Sequence, residues 1–326
     1  MKTLAQHCLE KGGIVNPLII PSDFTNGTAL FNPSVFVDDD GTILTVIRHC
    51  QYTLYHSEKR NFEHQWGPLL YLNPENDISL TTTNYLAELD DNLKIKRVYE
   101  IDTKNLDKKP KWTFVGLEDA RLVKWEGKYY ITGVRRDTTT NGQGRMEISE
   151  IDYPSKPLRE ISRQRIPAPG KNDTYCEKNW MPILDKPFHY IKWSNPVQVV
   201  KYNPEDRTTV DVCVKDFRED VTQHARGGSQ VIPYKDGYIA IQHITYLYKT
   251  PAGRKDADYR HQITMYDKDW NVIKQSKIFS FMGARIEFTC GMARKDGNFL
   301  ISFGLTDNAA YIMRLSETAL EEFINE

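Results

Sequence analysis

Cysteine is scarce in this 326-residue sequence, and neither an excess of charge nor a long apolar run is present. The five cysteines are scattered without C-x-x-C spacing, which disfavours a disulfide framework or a zinc site and suits a cytosolic protein with reduced thiols. The 43 basic and 44 acidic residues nearly balance, which argues against a nucleic-acid partner. The polar segment from Met1 to Gly12 contains no signal-peptide core. We therefore expect a cytoplasmic protein that binds neither nucleic acid nor a membrane.

What the sequence does contain is one pattern in five copies: an apolar stretch, a polar turn, and a second apolar or aromatic stretch. Such a unit is typical of a β-hairpin. The copies begin at Asn32, Glu118, Asn179, Gly228 and Thr289, and their turns centre on Gly41, Gly127, Pro187, Gly237 and Gly297. Spacings of roughly 50 to 90 residues suit one four-stranded blade per copy. The pattern predicts an all-β, five-bladed β-propeller over residues 1–326 as a single domain. A β-sandwich is the alternative, but it does not explain the recurrence.

Other segments predict how the blades are completed. Residues 81–90 and 95–102 have the composition of outer strands of the first blade, whereas residues 154–176, rich in Pro, Arg and Lys, predict a surface connection. The apolar segment 14–20 is expected to supply a strand that closes the ring against the last blade. The end, SETALEEFINE, predicts a short C-terminal helix with Ser316 or Thr318 as its N-cap.

Each hairpin starts with a polar or small residue. These residues are Asn32, Asp119, Asn179, Ser229 and Thr289. Because the innermost strands of a propeller surround one channel, their entry ends should meet at one mouth, where convergent polar groups can form a binding site. The alternative is that these residues only satisfy backbone groups at strand ends, and for Ser229 and Thr289 the two interpretations are equally open.

The segment from Glu118 to Arg121 is unusual for a buried strand, because two adjacent carboxylates precede an arginine. Since side chains alternate along a strand, Asp119 and Arg121 are expected on one face and Glu118 on the other. An arginine beside Asp119 lowers its pKa, whereas a general acid needs a raised pKa, so burial would have to compensate. A purely structural Arg–Asp pair at a blade junction is the alternative.

Several cations fall at repeat positions that face the channel. They are Arg48, Arg121, Lys178, Arg226 and His243, set against Asp119, Asp307 and Glu287. A neutral sugar needs fewer positive charges, so this set predicts that an anion, most simply phosphate, enters the site. Trp180 is a candidate platform for stacking on a sugar. A strand-end histidine such as His243 is also compatible with a structural role.

The order of FNPSVF, ILTVIRH, GLEDARLV, KNW, RGGSQVI, YIAIQH and ISFGLTDNAAYI over about residues 28–314 resembles glycoside hydrolase family 130, which contains inverting β-mannoside phosphorylases, and the related β-1,2-mannosyltransferases of glycosyltransferase family 108. The resemblance implies a five-bladed propeller that transfers mannose between a β-mannoside oligosaccharide and inorganic phosphate, with mannose 1-phosphate as the other sugar partner. It implies no cofactor and no metal, since phosphate is a co-substrate.

The resemblance also implies roles for individual residues. Asp119 matches the general acid, which delivers its proton through a sugar hydroxyl. The substrate-binding positions are Asn32, Arg48, Arg121, Lys178, Asn179 and Asp307. His243 matches a histidine that lies near phosphate, and to it we add Lys178 and Arg226 as phosphate-binding residues because their charges fall at repeat positions that face the mouth.

The sequence departs from the family pattern at three places. Ala120 replaces a proline, Gly228-Ser229-Gln230 replaces Gly-x-Pro-Pro, and Ile244 replaces the glycine after His243. These departures leave the acceptor sugar open and point toward the transferase branch. Two other functions stay open: an inverting hydrolase with Asp307 or Glu287 as its base, and a non-catalytic carbohydrate-binding propeller. The sequence is also compatible with a homo-oligomer.

Overall fold

The computed structural model describes residues 2–21, 25, 29–50, 52–53, 62–64, 67–71, 79–170, 175–249 and 255–326. In chain order its helices and strands are α1 (Leu4–Glu10), β1 (Ile14–Pro17), β2 (Ala29–Val37), β3 (Ile43–Cys50), β4 (Tyr52–Thr53), β5 (Phe62–His64), β6 (Gly67–Tyr71), β7 (Leu80–Leu89), β8 (Ile95–Glu100), β9 (Phe114–Val115), β10 (Glu118–Trp125), β11 (Lys128–Arg135), β12 (Arg145–Ile151), β13 (Glu160–Ile166), β14 (Met181–Pro182), β15 (His189–Ser194), β16 (Val197–Asn203), β17 (Thr208–Val214), β18 (Arg226–Gly227), β19 (Ile232–Tyr234), β20 (Gly237–Lys249), β21 (Lys255–Asp267), β22 (Val272–Gln275), β23 (Glu287–Lys295), β24 (Asn298–Leu305), β25 (Ala309–Ser316) and α2 (Glu317–Asn325).

These strands form the five blades that the repeats predict. Blade 1 is β2-β3-β7-β8, blade 2 is β10-β11-β12-β13, blade 3 is β14-β15-β16-β17, blade 4 is β18 and β19 followed by β20-β21-β22, and blade 5 is β23-β24-β25-β1. Between β3 and β7, blade 1 carries a small sheet of order β4-β6-β5. The five-bladed propeller is therefore confirmed, together with the outer strands β7 and β8 of the first blade.

The first strand of the chain closes the ring, as predicted. Within segment 14–20, β1 pairs antiparallel with β25, and Ile14 lies opposite Arg314. Helix α2 has Ser316 as its N-cap, whose hydroxyl accepts from the Ala319 amide. Helix α1 was not predicted. It carries a capping box between Thr3 and Gln6, a signal that the sequence does contain.

Two details of the prediction are wrong. Residues 154–176 are not only a surface connection, because Glu160–Ile166 within them pairs with β12 as the outermost strand of blade 2. The turn of the fourth hairpin does not centre on Gly237, which is already paired with Tyr234 and Asp267. Lys235, with φ of 52°, takes the left-handed position instead.

A single side chain ties the inner strands together across the axis. Gln230 is completely buried, and its Nε2 donates to the carbonyl oxygens of Val35 and Leu122, each at 3.0 Å. Its Oε1 accepts from the Met292 amide at 3.0 Å. Gln230 from blade 4 thus bridges the innermost strands of blades 1, 2 and 5, and so fills the channel below its mouth.

Membrane-spanning helices are absent from the described ranges, where no helix is long and apolar enough to cross a bilayer.

Candidate active site at the channel mouth

Three of the five predicted mouth positions share a backbone feature. Asn32, Asp119 and Asn179 all have left-handed backbones, with φ of 46°, 52° and 61°. Asn and Asp are the non-glycine residues that tolerate this region best. In blades 1 and 2 the left-handed residue lies at a register shift of the innermost strand. A bulge of this kind re-aims side chains and often lies beside a functional site.

Asp119 is held by two donors from blade 1. The Asn32 Nδ2 donates to Asp119 Oδ1 at 2.9 Å, and the Arg48 Nη1 donates to the same oxygen at 2.9 Å. Glu118 also faces Arg48, since its Oε2 lies 3.6 Å from Arg48 Nη2. The expectation that Glu118 points to the opposite face is therefore wrong, because the bulge between Glu118 and Arg121 breaks the alternation. Both carboxylates lie around one guanidinium.

Arg121 lies behind Asp119 and is completely buried. Its Nη1 donates to the backbone oxygen of Asp119 at 2.8 Å, and its Nε donates to the backbone oxygen of Gly228 at 2.7 Å. The predicted Arg–Asp pair is thus a contact to the backbone. Arg121 fixes the bulge and ties blade 2 to blade 4, and its charge acts on the carboxylate through space.

Asp307 comes to the same mouth from blade 5. It follows β24 in a tight turn in which Thr306 and Asp307 both have left-handed backbones, with φ of 50° and 49°. Its electrostatic neighbours are Arg48, Asp119, Glu118 and Lys178. Within the part of the chain that the structure describes, its carboxyl group makes neither a hydrogen bond nor an ion pair with protein.

The two aspartates have opposite electrostatic environments. Burial alone would raise the pKa of Asp119, but the charge of Arg48, the Asn32 hydrogen bond and the charge of Arg121 together lower this pKa below its usual value. Burial raises the pKa of Asp307 to about 6, because the charge of Asp119 adds to the burial and Arg48 only partly opposes them. In the ligand-free site Asp119 is ionised at neutral pH, and Asp307 holds its proton more strongly.

The predicted phosphate ligands meet at the junction of blades 3 and 4. Arg226 of β18 pairs in register with His243 of β20, and Lys178 and Arg226 are both electrostatic neighbours of His243. Among the described residues, neither Lys178 nor Arg226 makes an ion pair or a side-chain hydrogen bond with protein. Two exposed cations therefore lie beside the mouth without an ion pair among these residues, although the charge of Glu177 acts on Arg226 through space.

His243 does not add a third positive charge, contrary to the expectation that counted it as a cation. Its ring is buried, and Nδ1 lies 2.8 Å from the Gly227 carbonyl oxygen. Burial, together with the nearby charges of Lys178 and Arg121, lowers the pKa of His243 to about 3. A neutral imidazole that donates from Nδ1 leaves Nε2 as an acceptor.

Two of the predicted mouth positions are structural. Ser229 and Thr289 are completely buried, and their hydroxyl groups donate to the backbone oxygens of Gln230 and Ser302 at 2.7 Å each. Of the two open interpretations, the structural one holds for both.

Glu287 is likewise structural, so its placement on the channel side is wrong. It is completely buried, and its oxygens accept from the backbone amides of Phe281, Met282 and Ala284 at 2.5, 2.8 and 2.9 Å. It therefore holds a loop and has no oxygen left to activate water.

Two amide oxygens beside the mouth lack a hydrogen-bond donor among the described residues. Asn32 Oδ1 and Asn179 Oδ1 are both buried and have no hydrogen-bond partner in the described structure. Asn179 lies against blade 4, since a Cβ atom on Gly227 would meet the Asn179 carbonyl oxygen at 1.8 Å. Acceptors of this kind suit a ligand with many hydroxyl donors, and no group that could hold a metal is found in the described part of the chain.

Sequence reasoning missed several residues of this region. Arg136 Nε lies 3.2 Å from Glu118 Oε1, and Tyr259 is an electrostatic neighbour of Asp307 and Asp119 with a pKa that burial raises to about 12. Trp180 is completely buried and donates from Nε1 to Glu177 at 3.1 Å, so it is not a platform for a sugar. Trp193 is half-buried and lies against Arg226, and its only signal in the sequence is its place near a strand end.

Comparisons with known proteins agree on the fold. No protein-family model and no curated protein sequence matches the chain. A structure from work on the GH130 family of mannoside phosphorylases, which contains hydrolases that target β-1,2-mannosidic linkages in Candida mannan, matches at 15% identity and a TM-score of 0.60, covering 93% of this chain and 92% of that one.

Two further solved structures match over similar lengths. The β-1,2-mannobiose phosphorylase from Listeria innocua, in complex with β-1,2-mannobiose, has 15% identity and a TM-score of 0.56, and the match covers 91% of this chain and 92% of that one. MPT-4, a mannose phosphorylase from Leishmania mexicana in complex with a phosphate ion, has 12% identity and a TM-score of 0.52, covering 98% and 93%. The chain therefore shares the propeller fold of known mannoside phosphorylases.

Proposed function

We propose that this protein is an inverting β-mannoside phosphorylase of the GH130 type, which transfers mannose between a β-mannoside and inorganic phosphate. In the synthetic direction the same site acts as a β-1,2-mannosyltransferase that uses mannose 1-phosphate. The resemblance of the motifs and the fold shared with proteins of these activities support the proposal.

One observation carries the proposal. Two cations that form no ion pair in the described structure, Lys178 and Arg226, lie at the same mouth as the carboxyl groups of Asp119 and Asp307. Carboxyl groups and buried amide oxygens suit a neutral sugar, whereas unpaired cations need an anion. A site that offers groups for a neutral sugar and cations for an anion suits a reaction between a sugar and phosphate.

The chemistry assigns a task to each group. A phosphate oxygen attacks the anomeric carbon of the mannoside and forms the new C–O bond, while the bond from that carbon to the glycosidic oxygen breaks. The departing oxygen takes the proton of Asp119, relayed through a sugar hydroxyl. Lys178, Arg226 and the neutral His243 receive the phosphate, and Asn32, Asn179 and Asp307 receive sugar hydroxyls. Arg48 and Arg121 position Asp119.

Asp119 must gain a proton before it can donate one. In the ligand-free site its pKa is lowered, chiefly by Arg48 against the effect of burial. A bound sugar excludes water from the mouth, and a phosphate bound at Lys178 and Arg226 brings negative charge to the same mouth as Asp119. Both changes disfavour the carboxylate and raise its pKa. Phosphate binding therefore prepares the acid as well as supplying the nucleophile.

A second candidate function is an inverting β-mannosidase. Asp307 favours it, because a carboxyl group without a protein partner in the described structure and with a pKa raised to about 6 is suited to activate water. An inverting hydrolase needs its two carboxyl groups about 6.5–9.5 Å apart. The unpaired cations Lys178 and Arg226 have no task in that reaction, which is why we favour phosphorolysis.

Incubation with a panel of β-mannobioses, with and without inorganic phosphate, tests the proposal. We expect mannose 1-phosphate only when phosphate is present. Free mannose formed at the same rate without phosphate would support the hydrolase. Binding of a β-mannoside without turnover in either condition would support the non-catalytic carbohydrate-binding propeller.

A further inference from the structure

Arg226 is stacked on an aromatic ring from the neighbouring blade. Its guanidinium carbon lies 4.2 Å from the centroid of the Trp193 ring. Arg226 belongs to β18 of blade 4 and Trp193 to β15 of blade 3, so the stack crosses the blade junction. No hydrogen bond or ion pair joins the Arg226 side chain to protein in the described ranges.

Trp193 is aimed by an irregularity in its own strand. The register of β15 against β16 shifts between Ile191 and Trp193, with Lys192 as the extra residue. The Lys192 Nζ lies 5.1 Å from the Trp193 ring and 6.0 Å from the Trp180 ring. The bulge re-aims the adjacent side chains of Lys192 and Trp193 and brings them together.

A buried carboxylate holds this arrangement in place. Glu177 Oε1 lies 3.1 Å from Lys192 Nζ, and Glu177 Oε2 accepts from Trp180 Nε1 at 3.1 Å. The Lys192 and Glu177 side chains are only 7% and 10% exposed, so this pair is shielded from solvent. Lys192 thus forms an ion pair with Glu177 and also donates to Gln198 Oε1 at 3.3 Å. The charge of Glu177 acts on Arg226 only through space.

The geometry of a stacked guanidinium decides which of its surfaces a ligand can use. A guanidinium that stacks on a ring uses its flat face for that contact and leaves the N–H groups at its edge for a ligand. Those edge donors match the paired oxygens of a phosphate group. A long arginine side chain without such support loses considerable rotamer entropy when it is ordered on binding.

We propose that Trp193 is a positioning residue that orients Arg226 for the phosphate co-substrate. The inference rests on the proposed function and adds to it a residue that lies outside the motifs of the sequence. It predicts an effect confined to phosphate, because the sugar is received by other groups at the mouth.

Steady-state kinetics of the full-length protein, varying phosphate and β-mannoside separately, test this inference. Trp193→Ala should raise KM for phosphate by about 3- to 30-fold, the range expected for loss of a cation–π contact, with little change in KM for the mannoside. Trp193→Phe keeps a ring face and should recover most of this loss. In an Arg226→Ala background, Trp193→Ala should have almost no further effect.

The outcomes separate this inference from the proposed function. If the wild-type protein releases no mannose 1-phosphate and binds no inorganic phosphate in calorimetry, the proposed function fails. If the wild-type protein uses phosphate but Trp193→Ala leaves its KM unchanged, the positioning role is wrong. An equal rise in KM for phosphate and for mannoside in Trp193→Ala would also overturn it, as would a Trp193→Phe variant that does not recover phosphate binding. Thermal unfolding of each variant identifies a general loss of structure.

Discussion

Asp119 and Asp307 lie at one channel mouth and share the charge of Arg48, yet their pKa values are displaced in opposite directions. Burial opposes ionisation of both. For Asp119, the Arg48 and Asn32 contacts outweigh burial and lower the pKa. For Asp307, burial and the charge of Asp119 prevail and raise the pKa to about 6. Two carboxyl groups whose pKa values differ in this way can take different roles in one reaction.

The first prediction concerns the proton donor. Asp119→Asn keeps the shape and the hydrogen-bonding capacity but cannot donate the proton, so turnover of a mannobiose should fall by about 10²–10⁴-fold. An activated aryl mannoside has a better leaving group and should lose less. Asp307→Asn should slow both substrates together if Asp307 only binds the sugar. Full activity of Asp119→Asn with an inactive Asp307→Asn would reverse the two roles.

The second prediction concerns stability and pH. The raised pKa of Asp307, about 6, means that the folded protein binds this proton more tightly than the unfolded chain, so stability falls as pH rises through about 4 to 6. Asp307→Asn removes that penalty. The free energy of unfolding at pH 7.5 should rise by roughly 1–3 kcal/mol, with little change at pH 4.

Asp119→Asn is the matched control for this prediction, because a lowered pKa has the opposite sign. Ionised Asp119 stabilises the folded state above its unfolded pKa, and this contribution disappears as pH falls through the lowered pKa. The variant should therefore be less stable than wild type at pH 7.5. Urea unfolding of both variants at pH 4 and pH 7.5 measures how each substitution changes the free energy of unfolding. If both substitutions change it in the same direction at pH 7.5, the electrostatic environments assigned to the two aspartates are wrong.

The third prediction concerns the anion. Arg226→Ala should raise KM for phosphate by about 10- to 100-fold, since a hydrogen bond to a charged group of this kind is worth roughly 1.5–3 kcal/mol. KM for the β-mannoside should stay within about twofold of wild type, a difference smaller than the loss of one hydrogen bond. Lys277→Ala removes an exposed cation from blade 4 and serves as the control. An equal rise in both KM values would count against the phosphate assignment.

The fourth prediction concerns the centre of the propeller. Gln230→Leu leaves the carbonyl oxygens of Val35 and Leu122 and the amide of Met292 without their buried partner. Because each unsatisfied buried group costs about 1–3 kcal/mol, we expect a loss of roughly 3–5 kcal/mol in the free energy of unfolding. Gln143→Leu, at an exposed position, is the control. A loss below about 1 kcal/mol would contradict the bridging role.

The repeats predicted the fold because strand alternation and turn residues are local properties. Gly41, Gly127 and Gly297 all occupy the left-handed turn positions expected of them, and β1 closes the ring from the predicted segment. The strand within residues 154–176 was not predicted because its charges are neutralised by pairs that the sequence does not reveal: Arg163 pairs with Glu160, and Arg165 with Glu147 of β12.

The site was predicted less completely, because it depends on bulges and on partners from distant parts of the chain. Regular alternation separates Glu118 from Asp119, but the bulge brings both to Arg48. Burial keeps His243 neutral, and the Gly227 carbonyl oxygen accepts its Nδ1 proton. Neither the burial nor this acceptor can be predicted from the sequence of the strand that contains His243. The position of the Trp193 side chain depends on a register shift, and no residue type in the sequence predicts that shift.

The most direct test of the phosphorylase assignment is a phosphorus and proton NMR time course of β-1,2-mannobiose with wild-type protein and inorganic phosphate. The account predicts one equivalent of α-mannose 1-phosphate for each mannose released, with inversion at the anomeric carbon and no reaction when phosphate is omitted. Two mannose molecules per disaccharide, at a rate independent of phosphate, would contradict it.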